Sequence, residues 1–206
     1  MEIENPSNIL SANSREVISR VCRLFSEVDG KVEELKNLTG VHCPPMCGIC
    51  CGSLKVETTL IEMMPLAEDL WKKNEADIWL DRLNSAGDIS SCVFFRKDEE
   101  VPDNGRCLVY ELRPLICRLF GFFTIRDKNG KYDYGSCGVM KRKYPDNYRR
   151  ALKMVTEGAH PSNVTDYSIQ IISMGVGLDN KMLPINIAAK MAIEKIGFEI
   201  IKNGWV

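Results

Sequence analysis

Histidine is almost missing from this chain, with two among 206 residues, His42 and His160. Neither has a recognisable nucleophile motif beside it, so no Ser/His/Asp set can be assembled. An excess of either charge is missing too. The 27 Lys and Arg against 28 Asp and Glu leave a net charge of −1, which argues against a dedicated nucleic-acid binder. Long apolar runs are also absent. The stretch Leu119 to Phe123 with Thr124 and Ile125 falls far short of the ~20 residues that span a bilayer. The opening Met1-Glu2-Ile3-Glu4-Asn5 is acidic and polar, without the positive start and apolar run of a secretory signal. These absences lead to the expectation of a cytoplasmic protein with no membrane partner. There is no internal repeat, no low-complexity segment and no strict βαβ alternation of the kind found in nucleotide-binding sheets.

What the chain does have is an ordinary globular composition, 45% hydrophobic and 27% charged, with nine cysteines. A chain of this length buries most of its apolar surface and needs no covalent staples. In the cytosol a rich cysteine set points to metal binding or catalysis rather than disulfides. The odd count also leaves one cysteine over in any all-disulfide scheme.

From Ser14 an apolar stripe at Val17, Val21, Leu24/Phe25, Val28, Val32 and Leu35 has helical spacing and ends at Gly40, with Gly30 a place for a bend. Residues 41–53 read as a loop. Leu54 to Thr58 alternates like a short strand. Thr59-x-x-Glu62 is a capping-box pattern, and Pro65 is expected to break or restart the helix it opens. A second short helix is expected over Glu75 to Leu83. Strands are expected over Ser91 to Phe95 and Cys107 to Tyr110, with a turn at Asp103-Asn104-Gly105. Pro114 suits the start of a helix through Phe120. Asp127-Lys128-Asn129-Gly130 marks a hairpin between Phe122 to Ile125 and Lys131 to Tyr134. Pro145 and Pro184 each open a further helix, the last with Ile187, Met191, Ile193 and Ile196 on its faces.

The cysteines carry the chemistry. Cys43, Cys47, Cys50 and Cys51 form a C-x3-C-x2-C-C string, and Cys92, Cys107, Cys117 and Cys137 form a second set. Four cysteines within nine loop residues are not the pattern of buried apolar cysteines, which sit on apolar faces. Gly48 and Gly52 permit sharp turns between them, and Pro44-Pro45 stiffens the loop. Eight thiolates supply two four-thiolate sites, or one cluster and one structural ion. A zinc ribbon shows two C-x2-C knuckles, and only Cys47 and Cys50 make one here. Three close cysteines with a remote fourth fit iron–sulfur ligation better. Arg106, Arg113 and Arg118 flank the second set, and their guanidinium donors suit a negative cluster.

The string Cys-Pro-Pro-Met-Cys-Gly-Ile-Cys-Cys from Cys43, with Cys-Leu-Val-Tyr-Glu-Leu-Arg-Pro-Leu-Ile-Cys-Arg-Leu-Phe from Cys107, resembles the YkgJ-type cysteine-cluster proteins. These are described as zinc- or iron-chelating. The resemblance covers residues 43–137. It implies metal ligation by Cys43, Cys47, Cys50, Cys51, Cys107 and Cys117, with Cys92 and Cys137 as partners and Tyr110, Arg113 and Arg118 around the cofactor. A flagellin lysine methylase that uses S-adenosylmethionine carries a similar cluster, so the resemblance also implies methyl transfer as an alternative. The C-x3-C-x2-C spacing occurs in radical S-adenosylmethionine enzymes as well, but the repeated βα units of those enzymes do not follow it here.

Cys22, beside Val21 and Phe25, reads as a small core residue, and His42 as polar loop filler next to Cys43. Met174-Gly175-Val176-Gly177 is a lone GxG without the third glycine of a phosphate loop. The basic stretch Lys141 to Lys153, with two tyrosines, has the make-up of a patch for RNA or an acidic partner, but reads first as a solvated helix face. The expected fold is α+β, a metal-centred core of short strands and loops with N- and C-terminal helices packed around it. Residues 1–40 are expected as a helical segment, 41–140 as the cysteine-cluster domain, and 141–206 as a helical segment packing on that domain. Three functions fit: a redox or electron-transfer protein with an iron–sulfur cluster and an unknown protein or redox partner, a cluster-bearing methyl-transfer enzyme, or a zinc- or iron-handling module.

Overall fold

The structure, a computed structural model, describes residues 8–87, 90–101, 103–158, 163–175 and 181–203. His160 and the second half of the GxG at Gly175 to Gly177 lie outside them.

The apolar stripe from Val17 becomes helix α1, Ala12–Thr39, and every residue of that stripe is buried. The side chain of Ser11 caps its start, and Gly40, in the left-handed region at φ 73°, ends it. The helix continues through Gly30. After the cysteine loop, β1 (Glu57–Thr58) leads into α2, Leu60–Lys72. Its capping box is complete: Thr59 Oγ1 accepts from the Glu62 amide at 3.3 Å, and the Glu62 carboxylate accepts from the Thr59 amide at 3.0 Å.

Pro65 does not interrupt α2, contrary to expectation. It withholds one backbone bond. Met63, Met64, Leu66, Ala67 and Leu70 are all buried around it, and that burial offsets the loss. Helix α3 is Ala76–Ala86.

The next hairpin is shifted from its expected register. Strand β2 is Phe95–Lys97 and β3 is Gly105–Cys107, paired antiparallel with Phe95 opposite Cys107. Cys92 lies in a turn before the strand, and Tyr110 lies in a 3-10 turn after it, Tyr110–Leu112. Packing explains the shift. A β-carbon on Gly105 would lie 2.5 Å from the Arg96 carbonyl oxygen and from the Phe95 ring, so the strands close at Gly105 and nowhere larger.

Helix α4 is Leu115–Leu119, with Pro114 at its N-cap. The β4 (Phe123–Arg126) and β5 (Tyr132–Gly135) hairpin forms where expected. Helices α5 (Gly138–Lys143), α6 (Pro145–Thr156), α7 (Val164–Met174) and α8 (Ile185–Lys202) follow, with β6, Leu183–Pro184, pairing back to β1. Helix α7 has no counterpart among the expected elements.

The fold is α+β, with three separate two-stranded antiparallel sheets among its helices. The buried apolar mass lies chiefly among α1, α2 and α8, and α2 packs along α8. The cysteine-bearing loops, hairpin and short helices stand beside this frame. No helix among the described residues is long and apolar enough to cross a membrane.

Leu35 is fully buried at the end of α1 that leads into the cysteine loop. Leu35→Ala should cost about 2–5 kcal/mol. The expected readout is a lower urea midpoint at an unchanged m-value.

Candidate metal centre

Eight cysteines reach this region from several pieces of backbone, and those that carry Cys43, Cys92 and Cys117 are fastened to the helical frame by buried or half-buried polar contacts. The loop of Cys43 to Cys51 begins where α1 ends. There Asn147 Nδ2 of α6 donates to the Gly40 carbonyl at 2.6 Å, and Arg150 donates to the Thr39 carbonyl at 3.2 Å. His42 Nδ1 donates to the Gly40 carbonyl at 2.7 Å, and its ring lies 4.1 Å from that of Tyr144. These contacts occupy His42 with the α1–α6 junction.

The loop then joins the edge of the β2–β3 hairpin. The Gly48 amide donates to the Asp103 carbonyl at 2.7 Å, and the Gly105 amide donates to the Met46 carbonyl at 2.8 Å. Gly48 is required for this approach, because a β-carbon there would lie 2.1 Å from the Phe95 ring.

Cys92 is held from α8. Asn186, buried, accepts from the Val93 amide at 3.1 Å and donates to the Ser91 carbonyl at 3.1 Å. Cys117 sits on α4, whose first amide, Leu115, donates to Glu62 Oε1 at 3.0 Å. The buried Glu62 therefore caps two helices at once, its own and the one that carries Cys117. Cys137 precedes α5 and packs against Gly121, whose φ of 88° turns the chain between α4 and β4.

Arg118 and Arg113 take different roles. Arg118 is 3% exposed. Its guanidinium donates to Asp29 of α1, to the Glu111 carbonyl and, through Nε at 2.8 Å, to the Arg113 carbonyl, and it stacks on Phe25 at 4.3 Å. Its donors thus face α1 and the 3-10 turn. Arg113 stacks on Tyr110 at 3.7 Å and lies 3.6 Å from Asp29, and its charge favours the thiolate forms of Cys50, Cys107 and Cys117. Arg113 is therefore the arginine whose field reaches the thiols, and Arg118 is an anchor. Arg106 is exposed on β3.

All nine cysteines are free thiols; Cys43 and Cys22 are exposed and the other seven half-buried. Cys22 is thus not the core residue expected, because it faces outward between buried Val21 and buried Leu24. Among the eight, burial pushes Cys43 and Cys92 up, each to about 11, and also raises Cys107 and Cys117. Neighbouring thiols add to each rise, and Cys50 acts on Cys43, Cys51, Cys92, Cys107 and Cys117. Contact between Cys50 and Cys51, Sγ to Sγ 4.0 Å, holds Cys50 down to about 7 and pushes Cys51 up. Cys43 also feels Cys47 and Cys137.

Backbone amides point at several sulfurs: those of Cys50 and Cys51 at Cys50, those of Phe94 and Phe95 at Cys92, and that of Val109 at Cys107. Amides aimed at a sulfur stabilise a thiolate, and hydrogen bonds to ligand sulfurs tune a metal centre.

The donor set fits a thiophilic metal, since soft thiolates select zinc or iron–sulfur over hard cations. The 4.0 Å between Cys50 and Cys51 is close to the edge of a tetrahedron of sulfurs about 2.3 Å from a zinc ion, roughly 3.8 Å. Among the described residues no three His, Cys, Asp or Glu side chains close around a single ion as placed. The thiols share a region without forming a finished tetrahedron.

Sequence patterns did not reveal Asp29, Asn186 or the second role of Glu62. Each acts across a sequence separation of 53 to 93 residues, as in Leu115 to Glu62, Arg118 to Asp29 and Val93 to Asn186. The only signal present was the Thr59/Glu62 capping pair.

Two outcomes follow from this arrangement. Arg118→Met should cost about 3 kcal/mol, the low end for a buried pair because Asp29 keeps solvent contact. Thermal melting should show the loss, and zinc or iron retention should fall with it. Because burial and neighbouring thiols raise Cys43, Cys51, Cys92, Cys107 and Cys117, these thiols are protonated at pH 7 without metal, while Cys50, held down to about 7, is partly ionised, and binding must expel the protons that remain. Affinity should therefore rise with pH from 6 to 8. Calorimetry in buffers of different ionisation enthalpy should find about three to four protons released per four-thiolate site. Proton release near zero would exclude thiolate ligation.

Comparison with curated proteins and with solved structures finds no match. Residues 42–138 match the family model described as "CxxCxxCC: Putative zinc- or iron-chelating domain". That segment holds the eight clustered cysteines and leaves out Cys22, and it is similar to this cysteine-cluster family.

Proposed function

We propose that four of the thiolates supplied by Cys43, Cys47, Cys50, Cys51, Cys92, Cys107, Cys117 and Cys137 hold an iron–sulfur cluster used for electron transfer. The observation that carries this reading is the central place of Cys50, whose charge acts on five other thiols drawn from every cysteine segment except that of Cys137. A cluster, like one tetrahedral ion, uses four thiolates, so this set has room for a second centre beside it. Such a cluster supplies one-electron exchange when bound. The chain's part is to hold the thiolates, to aim amides at Cys50, Cys92 and Cys107, and to keep the Arg113 charge beside them. Amides and a cation favour the more negative, reduced state, so they raise the potential.

A second reading, a zinc- or iron-handling module, is favoured by the Cys50–Cys51 spacing, which suits two ligands of one ion.

Anaerobically purified protein should be brown, with acid-labile sulfide roughly matching iron. Colourless protein with stoichiometric zinc and no sulfide would move the assignment to the second reading. An electron carrier should show reversible reduction and no melting shift with S-adenosylmethionine. A methyl-transfer enzyme should be stabilised by about 2.7 kcal/mol at a hundredfold excess over Kd.

Paired substitutions test the ligand set. Cys47→Ser should lose metal and melt early, because metal binding in such loops is coupled to folding. Cys22→Ala, at an exposed site, should change stability by less than about 0.5 kcal/mol with metal content unchanged. Metal-to-protein ratios decide the matter. Loss of metal from Cys22→Ala with retention in Cys47→Ser would reverse the assignment.

A further inference from the structure

Charge in this molecule is unevenly placed. Residues 126–157 hold nine Lys and Arg against four Asp and Glu, a local +5 in a chain of net −1, so the remainder carries −6. The three elements concerned form one unit: β5 packs on α6, and so does α5. The acidic groups of this unit are already engaged. Asp127 accepts from the amides of Asn129 and Lys131 at 2.9 and 2.8 Å, and Asp133 accepts from the Tyr134 amide at 2.8 Å. Asp146 pairs with Arg149, and Glu157 pairs with Lys153 at 3.7 Å. Among the described residues Arg126, Lys128, Lys131, Lys141, Arg142 and Lys143 have no acidic side-chain partner. Lys141, Arg142 and Lys143 are consecutive, exposed, and close α5.

This face borders the cysteines. Cys137 immediately precedes α5, and the exposed Cys43 follows His42, whose ring packs on Tyr144 between α5 and α6.

We propose that the basic face of α5, α6 and the β4–β5 hairpin docks an acidic protein surface, the electron-exchange partner of the cysteine centre. The electron exchange rests on the redox reading above; the docking does not. Opposite charge at the rim of a contact speeds encounter and fixes orientation, and here it would seat the partner beside Cys43 and Cys137.

Two observations favour a protein over other polyanions. Single-stranded nucleic acid needs free rings on which to stack bases. Here Tyr144 packs on His42, and Tyr148 packs on Tyr134 at 5.9 Å with Lys141 over it at 4.7 Å. A membrane surface is held by apolar side chains as well as charge. Helices α5 and α6 present no large exposed apolar side chain, and the hairpin presents only Ile125, too little to anchor in a bilayer.

The test uses the full chain as purified and three probes: fluorescent poly-L-glutamate, an oligothymidylate, and phosphatidylglycerol vesicles. Poly-L-glutamate should bind, and binding should weaken as salt rises. The triple reversal Lys141→Glu, Arg142→Glu, Lys143→Glu should weaken it on the order of tenfold. Lys143→Glu alone should weaken it by a few-fold, which keeps the test open if the triple variant folds poorly. Reversal of Arg20→Glu and Arg23→Glu on α1 should leave it unchanged. Equal loss from the α1 reversal, no loss from the α5 reversals, or tighter binding of oligothymidylate or vesicles than of poly-L-glutamate would each overturn the proposal. Iron and sulfide content decides the redox reading separately. Zinc protein that still shows α5-dependent binding would uphold the docking face and remove electron exchange as its purpose.

Discussion

The bond set of Arg118 joins the two halves of this molecule. One guanidinium, almost without solvent contact, reaches Asp29 on α1 and the carbonyls of Glu111 and Arg113 in the chain between β3 and α4. A lysine offers no planar fork for three acceptors in different directions. Through these bonds the residue after Cys117 is tied to the longest helix of the frame. Glu62 does the complementary work from α2, capping α4 from its other end. A five-residue helix has little stability of its own, since helix nucleation is costly. Helix α4 exists because α1 and α2 hold it, and Cys117 is where it is for the same reason.

The remaining cysteine segments follow the same logic. Asn186 holds the turn of Cys92, and Asn147 and Arg150 hold the exit of α1 ahead of Cys43. These fasteners act beside apolar contacts, since Val41, Phe94 and Leu119 are buried next to the cysteine segments. The helical frame thus positions a site to which it contributes few donors. The match of residues 42–138 to the cysteine-cluster family follows the same division: it covers the donors and leaves out all of α1 and all of α8.

Periodic and local features were legible in the sequence. The α1 stripe, its stop at Gly40, the Thr59/Glu62 box, the Asp127 to Gly130 hairpin and the starts at Pro145 and Pro184 each depend on residues a few positions apart. The failures share one cause, which is contact between distant segments. Pro65 stays within α2 because α8 packs along that helix, and the β2–β3 hairpin is set by Gly105 fitting against Arg96 and Phe95. Cys22 shares helical neighbours with buried residues yet faces outward. The eight cysteines were legible as a group. The different uses of Arg113 and Arg118 were not, because only the position of Asp29 separates them.

The Phe95 ring lies where β-carbons on Gly48 and on Gly105 would have to be. Neither glycine is a donor, yet one sits inside the C-x3-C-x2-C-C string. Drift at these three positions is consequently not independent. In a descendant of this chain, a side chain at 48 becomes tolerable only after the ring at 95 has shrunk, whereas at 105 the Arg96 carbonyl would still stand in the way, and while the ring stays both glycines stay fixed. The glycine within the cysteine signature would then be inherited as the partner of a phenylalanine 47 positions downstream, through steric necessity rather than metal chemistry.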